Sequence, residues 1–244
     1  MLAFHSNPTL KAFVLAQLAE HREADKLIKG KYWENGKGCA VGCTLEAVRL
    51  YNGKFKTGID YASHALYESE LGIPRILARL EDRIFEKLPN GDSQAWPERF
   101  TNAIRPGADL TMVWPQLAYW LLTDEVPPHT KNSRSLASLA EVGALYREWI
   151  DGTKPTKERW LNARDAASAA SADADADSAD AAADAAADAS AAAAAAAAAS
   201  AASADADAAA DASASASASA DAASASADAY RRQSDKLIEL LEAA

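Results

Sequence analysis

Gly36-Lys-Gly-Cys-Ala-Val-Gly-Cys-Thr-Leu-Glu-Ala-Val-Arg-Leu-Tyr51 is the stretch on which the reading of the fold turns. From Cys39 to Tyr51 the residues Val41, Leu45 and Val48 recur at helical spacing, and Asn52-Gly53 supplies a stop. Residues four apart share one face of a helix. Cys39 and Cys43 therefore lie one turn apart, with Gly38 and Gly42 beside them. That face is small and smooth, and another segment is expected to pack closely on it. A disulfide between thiols so placed would distort the backbone. These are the two cysteines of the chain, so they read as reduced, which points to an intracellular, cytoplasmic protein.

Upstream, Ser6-Asn7-Pro8 reads as a cap with proline in the first helical turn. Leu10, Phe13, Val14, Leu18, Ala24, Leu27 and Ile28 continue as a helical stripe that Gly30 ends. A loop with Tyr32 and Trp33 then leads to the cysteine face. Downstream, Asp60 caps a helix closed by Gly72, and Pro74 opens another that ends before Pro89-Asn90-Gly91. Further helices are expected from Ser93 to about Ile104, from Asp109 past Leu121, and from Ser133 or Ser135 to Gly152. Seven helices joined by Gly/Pro turns, with almost no alternating β-branched runs, predict an all-α globular head over residues 1–155.

Residues 156–244 read as a separate Ala-rich helical tail. From Asp165 to Ala229 the chain is only Ala, Ser and Asp, and no glycine or proline occurs after Pro155. Alanine is the strongest helix former, so a rod or a helical hairpin is expected. Strict Ser/Ala alternation from Ala212 to Ala220 gives no helical face and marks a break. Leu237, Ile238, Leu240 and Leu241 form an apolar end that wants a partner, either on the head or on a second copy of the chain, which leaves a homo-oligomer through the tail open.

Twelve Asp and no Lys or Arg lie between Asp165 and Ala229, so the formal charge of −10 belongs to the tail and the head is close to neutral. Such a balance argues against nonspecific nucleic-acid binding, which needs clustered Lys and Arg. The longest featureless run, Ala191–Ala199, is too short and too weakly apolar to span a bilayer, so no membrane partner is expected. The N-terminus lacks the pattern of a secretory signal.

Three chemistries compete for the cysteine region. With His64 downstream, Cys39 and Cys43 offer soft ligands for zinc, with His5 or Glu68 as a fourth. Alternatively Cys39 is a nucleophile with His64 as base and Glu68 or Glu70 orienting it. The bland reading makes both thiols small core residues. His64 and Glu68 have the spacing to hydrogen-bond on a helix, with Tyr67 on an adjacent face. Trp33 sits in a Gly/Asn/Lys loop where an aromatic lid over a ligand is plausible, and Gly36-Lys37-Gly38 offers backbone N–H groups to an anion. His21 and His129 read as surface positions. No Walker loop, dinucleotide fingerprint, HExxH or nucleophile elbow is present.

The segments Gly38-Cys-Ala-Val-Gly-Cys43, His64-Ala-Leu-Tyr-Glu-Ser-Glu-Leu-Gly-Ile-Pro74, Leu77-Ala-Arg-Leu-Glu-Asp82, Trp96-Pro-Glu-Arg-Phe100 and Gly107-Ala-Asp-Leu110 resemble those of a set of uncharacterised proteins found in bacterial and phage genomes, which also end in an Ala-rich tail. The resemblance implies an accessory protein of a mobile element and says nothing of catalytic roles. The leading expectation is a non-enzymatic protein that binds a small ligand or a host protein through Trp33, Lys37, Cys39, Cys43, His64 and Tyr67. A Cys/His-dependent enzyme or zinc protein, and a structural spacer, are the alternatives.

Overall fold

The computed structural model describes residues 1–53, 60–129, 133–177 and 222–244. It is all-helical, with nine α-helices and no strand among the described residues. They are α1 (Pro8–Glu23), α2 (Ala40–Tyr51), α3 (Ala65–Leu71), α4 (Arg75–Lys87), α5 (Asn90–Ala103), α6 (Val113–Trp120), α7 (Ser133–Ile150), α8 (Lys157–Asp177) and α9 (Ala222–Ala243). No described helix is long and apolar enough to cross a membrane. The 54–59 connection, the Asp stripe beyond 177, the Ser/Ala alternation and the rod-or-hairpin choice lie outside the described residues.

The chain divides into two compact units, Met1–Trp114 with Ala223–Ala244, and Pro115–Ala222. The last helix belongs to the first unit.

In the first unit α2 is the central element, and α1, α3, α4 and α5 all pack on it. Every residue from Ala40 to Val48 is buried. Around it lie the large side chains Leu18, Tyr67, Leu77, Phe85, Trp96 and Phe100. The Asn7 side chain caps α1 by accepting from the N–H groups of Thr9 and Leu10 at 3.0 and 3.2 Å, with Pro8 in the first turn. α1 stops at Glu23, earlier than Gly30, because Asp25 turns left-handed (φ 51°) and the chain leaves the helix axis. Gly72 closes α3 at φ 64°, and a Cβ there would meet the Leu2 carbonyl oxygen at 2.2 Å. Only glycine satisfies both the dihedral and that approach.

Phe4, His5 and Ser6 hold successive left-handed φ values of 50°, 50° and 59°, each unfavourable for an L residue. Burial of Phe4 offsets this, together with the bonds from Ala3 N–H to Ala108 O (3.0 Å) and from Gly107 N–H to Ala3 O (2.7 Å).

The apolar C-terminal end finds its partner on the head. Leu237 and Leu241 of α9 are buried, Arg83 Nε donates to the Tyr230 hydroxyl at 3.2 Å, and Arg231–Asp92 and Arg99–Asp235 pairs flank the seam at 2.7 and 2.9 Å. Exposed ion pairs contribute little, so the leucines hold the helix. Leu237→Ala is expected to cost about 2–5 kcal/mol, read as a fall in the urea midpoint of the full chain.

In the second unit α7 packs on α8. The contact includes Tyr146 and Trp160 with ring centroids 4.9 Å apart and a fork from Arg159 to Glu148 at 2.5 and 2.8 Å, and Leu139 and Val142 of α7 are buried. Leu121–Glu125 forms a π turn in which the Thr123 hydroxyl donates back to Tyr119 O at 2.9 Å.

Candidate functional site

Residues 24–39, between α1 and α2, form a fixed loop. Ile28 N–H donates to Gly38 O at 2.9 Å and Gly38 N–H to Lys26 O at 3.0 Å. Glu34 and Lys37 exchange backbone bonds at 2.8 and 3.1 Å around Asn35-Gly36, both at positive φ (53° and 78°). That is the tight hairpin turn for which Asn-Gly is the favoured pair. Cys39 N–H then donates to Lys31 O at 2.8 Å. The close neighbour expected on the small face of α2 is the backbone of Tyr32. A Cβ on Gly42 would lie 1.5 Å from the Tyr32 carbonyl oxygen, and one on Gly38 2.1 Å from the same atom.

From this seat the aromatic rings spread in two directions. Trp33 stacks on Tyr61 (5.6 Å, 27°) and tilts against His21 (5.6 Å). His21 is buried rather than on the surface, because Trp33 covers it. Its burial lowers the imidazole pKa. The Tyr32 ring meets the edge of His64 at 5.8 Å. Tyr61 also donates to Glu46 at 2.7 Å, and Arg49 forks onto the same carboxylate at 2.6 Å through both nitrogens.

His64, the residue before α3, pairs with Asp82 of α4, its Nε2 lying 3.2 Å from Oδ2. It does not pair with Glu68, whose carboxylate faces the following turn and accepts the Arg75 N–H at the start of α4 (2.9 Å). Glu70 accepts from Asn52 at 3.0 Å. Tyr67 lies in the core and donates to Glu81 at 2.7 Å. Lys37 is exposed at the hairpin.

The two thiols have different surroundings. Cys43 is sealed (0 % exposed) and donates to Gly38 O at 3.5 Å, and burial pushes its thiol up to about 12. Cys39 is 1 % exposed, and its sulfur lies close to an oxygen of the Asp82 carboxylate. Burial first, then the Asp82 carboxylate, drive its pKa far above the usual range. The Asp82 carboxylate also acts on the Tyr32 hydroxyl, whose pKa is raised first by burial and then by that negative charge. One turn on, Glu86 accepts the Gly30 N–H at 2.9 and 3.0 Å. Cys39 Sγ and one carboxylate oxygen each of Asp82 and Glu86 lie within 4.8 Å of one another. Cys43 is not part of that group. His64 and Asp82 keep side-chain exposures of 12 and 15 %, so the cluster sits just below the surface.

The sequence reading passed over Asp82 and Glu86. Two carboxylates four apart on a helix look like a solvated face, and nothing local ties them to Cys39. Comparison with protein-family models, with curated proteins and with solved structures finds no match to this chain.

Proposed function

We propose that the chain is a non-enzymatic accessory protein of phage type that binds a host protein through the 31–38 loop. The observation carrying this reading is the seat of the Tyr32 carbonyl on Gly38 and Gly42. It holds the loop in one conformation with Tyr32 36 % exposed and Lys37 exposed beside it. A rigid loop loses little entropy on docking, and aromatic residues dominate protein-binding hot spots.

Two further observations favour this over the alternatives. A cleft of about 520 Å³ in the first unit is lined by Arg22, Lys29 and Asn90 among others, and by none of Tyr32, Trp33, Cys39 or His64. A nucleophilic cysteine needs an accessible thiolate, whereas Cys39 is buried against a carboxylate that opposes its ionisation.

The test is native mass spectrometry of the tagged chain expressed in a bacterial host, with Tyr32→Ala/Lys37→Ala alongside. The wild type is expected to carry a protein of discrete mass that the double variant loses while its circular dichroism is unchanged. Iodoacetamide is expected to leave Cys39 unlabelled in the folded chain. A partner retained by the variant, or rapid alkylation of Cys39, overturns the proposal.

A further inference from the structure

We propose that Cys39, Asp82 and Glu86 are the protein ligands of a single divalent cation of the zinc class, with His64 positioning Asp82 from behind. This stands apart from the loop's role in docking, since metal uptake needs no partner. The donors come from separate places in the fold: Cys39 immediately before α2, and Asp82 and Glu86 one turn apart on α4. Their ligating atoms lie within 4.8 Å of one another. Donors around tetrahedral zinc, at about 2.3 Å for sulfur and 2.0–2.2 Å for oxygen, stand roughly 3.5 Å apart.

The donor chemistry selects the ion. A thiolate excludes calcium and magnesium as the preferred guests, and carboxylates beside it fit a borderline ion such as zinc. Three protein ligands leave the fourth position to water.

Cys39 stands at the N-cap of α2, where the free N–H groups of the first turn favour negative charge. Lys29 and Lys87 act on Glu86, offsetting the excess negative charge left when a dication meets three anions. His64, 3.2 Å from Asp82, has the place of an outer partner that orients a ligating carboxylate. On binding, the cation replaces the Cys39 proton, which passes to solvent. One metal–sulfur and two metal–oxygen bonds replace three of the ion's bonds to water, with no change of oxidation state.

The experiment strips the full chain with a chelator and titrates it with Co²⁺ and Zn²⁺. One equivalent is expected to bind, and cobalt is expected to give a near-ultraviolet sulfur-to-metal charge-transfer band. That band disappears in Cys39→Ser and persists in Cys43→Ser, with circular dichroism confirming the fold. Glu86→Gln, on a half-buried position that keeps its acceptor for Gly30, is expected to weaken zinc at least tenfold. His64→Ala is expected to weaken it about 10–100-fold while the thiolate band survives at saturating cobalt. Absence of stoichiometric uptake, a band surviving Cys39→Ser, or undiminished affinity in Glu86→Gln overturns the site. A band lost in Cys43→Ser overturns this donor set in favour of a two-cysteine one.

Discussion

Alanine in place of Gly42 is expected to destabilise the first unit by about 2 kcal/mol or more and to unseat the 31–38 loop. The new Cβ would stand 1.5 Å from the Tyr32 carbonyl oxygen and 2.5 Å from its carbon. Both are main-chain atoms, so no rotamer relieves the overlap. In an open helix the same substitution would favour folding by about 0.8–1 kcal/mol. Overpacking against yielding neighbours costs roughly 1–3 kcal/mol, and this neighbour is tethered through Lys31 to the backbone of Cys39. The clash outweighs the propensity gain. Gly91, in the first turn of α5 with nothing within 4 Å of an added Cβ, is the control. Its alanine variant is expected to be neutral or slightly stabilising. Urea denaturation followed by tryptophan fluorescence compares the two, and equal midpoints for Gly42→Ala and wild type would rule out the seat.

The second large effect concerns pH. Glu81 is fully buried, accepts from Tyr67 through Oε2, and has no hydrogen-bond partner for Oε1. Burial raises its carboxyl to about 8, with the Tyr67 hydroxyl opposing the shift and Asp82 adding to it. In the unfolded chain the group ionises near 4.5. The folded state thus holds this proton more tightly. The stability so gained is complete below pH 4.5 and is lost progressively as pH rises toward 8. At about 1.4 kcal/mol per pKa unit the loss amounts to several kcal/mol. Glu81→Gln carries no charge at any pH and keeps an acceptor for Tyr67. Its stability is expected to be nearly flat from pH 5 to 8.5, so that it exceeds the wild type at the alkaline end. Parallel pH profiles for the two proteins would show that Glu81 does not govern this dependence.

Punctuation residues made much of the fold legible. Asn7-Pro8, Gly72 and Pro74 lie at helix ends for local steric reasons that a sequence displays directly. Gly38 and Gly42 announced a close approach, although not that the approaching atoms would be Tyr32 backbone. Asn35-Gly36 carried the signal for a hairpin turn, and that turn is what returns the chain to α2. The site was less readable because its partnerships are long-range. His64 had Glu68 at the right helical spacing, yet the ring lies before the first turn of α3 and reaches Asp82 on the next helix. His21 resembled a surface residue until the Trp33 ring was found over it. Composition set the Ala-rich tail apart, and its final leucines, expected to dock on the head or on a second copy, pack with residues 1–114.

That last placement has a topological consequence. Since residues 223–244 pack with residues 1–114, everything between is an excursion that leaves one body and returns to it. A single proteolytic cut along the excursion severs the polypeptide without freeing its carboxyl end. The two fragments stay together through Leu237, Leu241 and the Tyr230 contact until denaturant parts them.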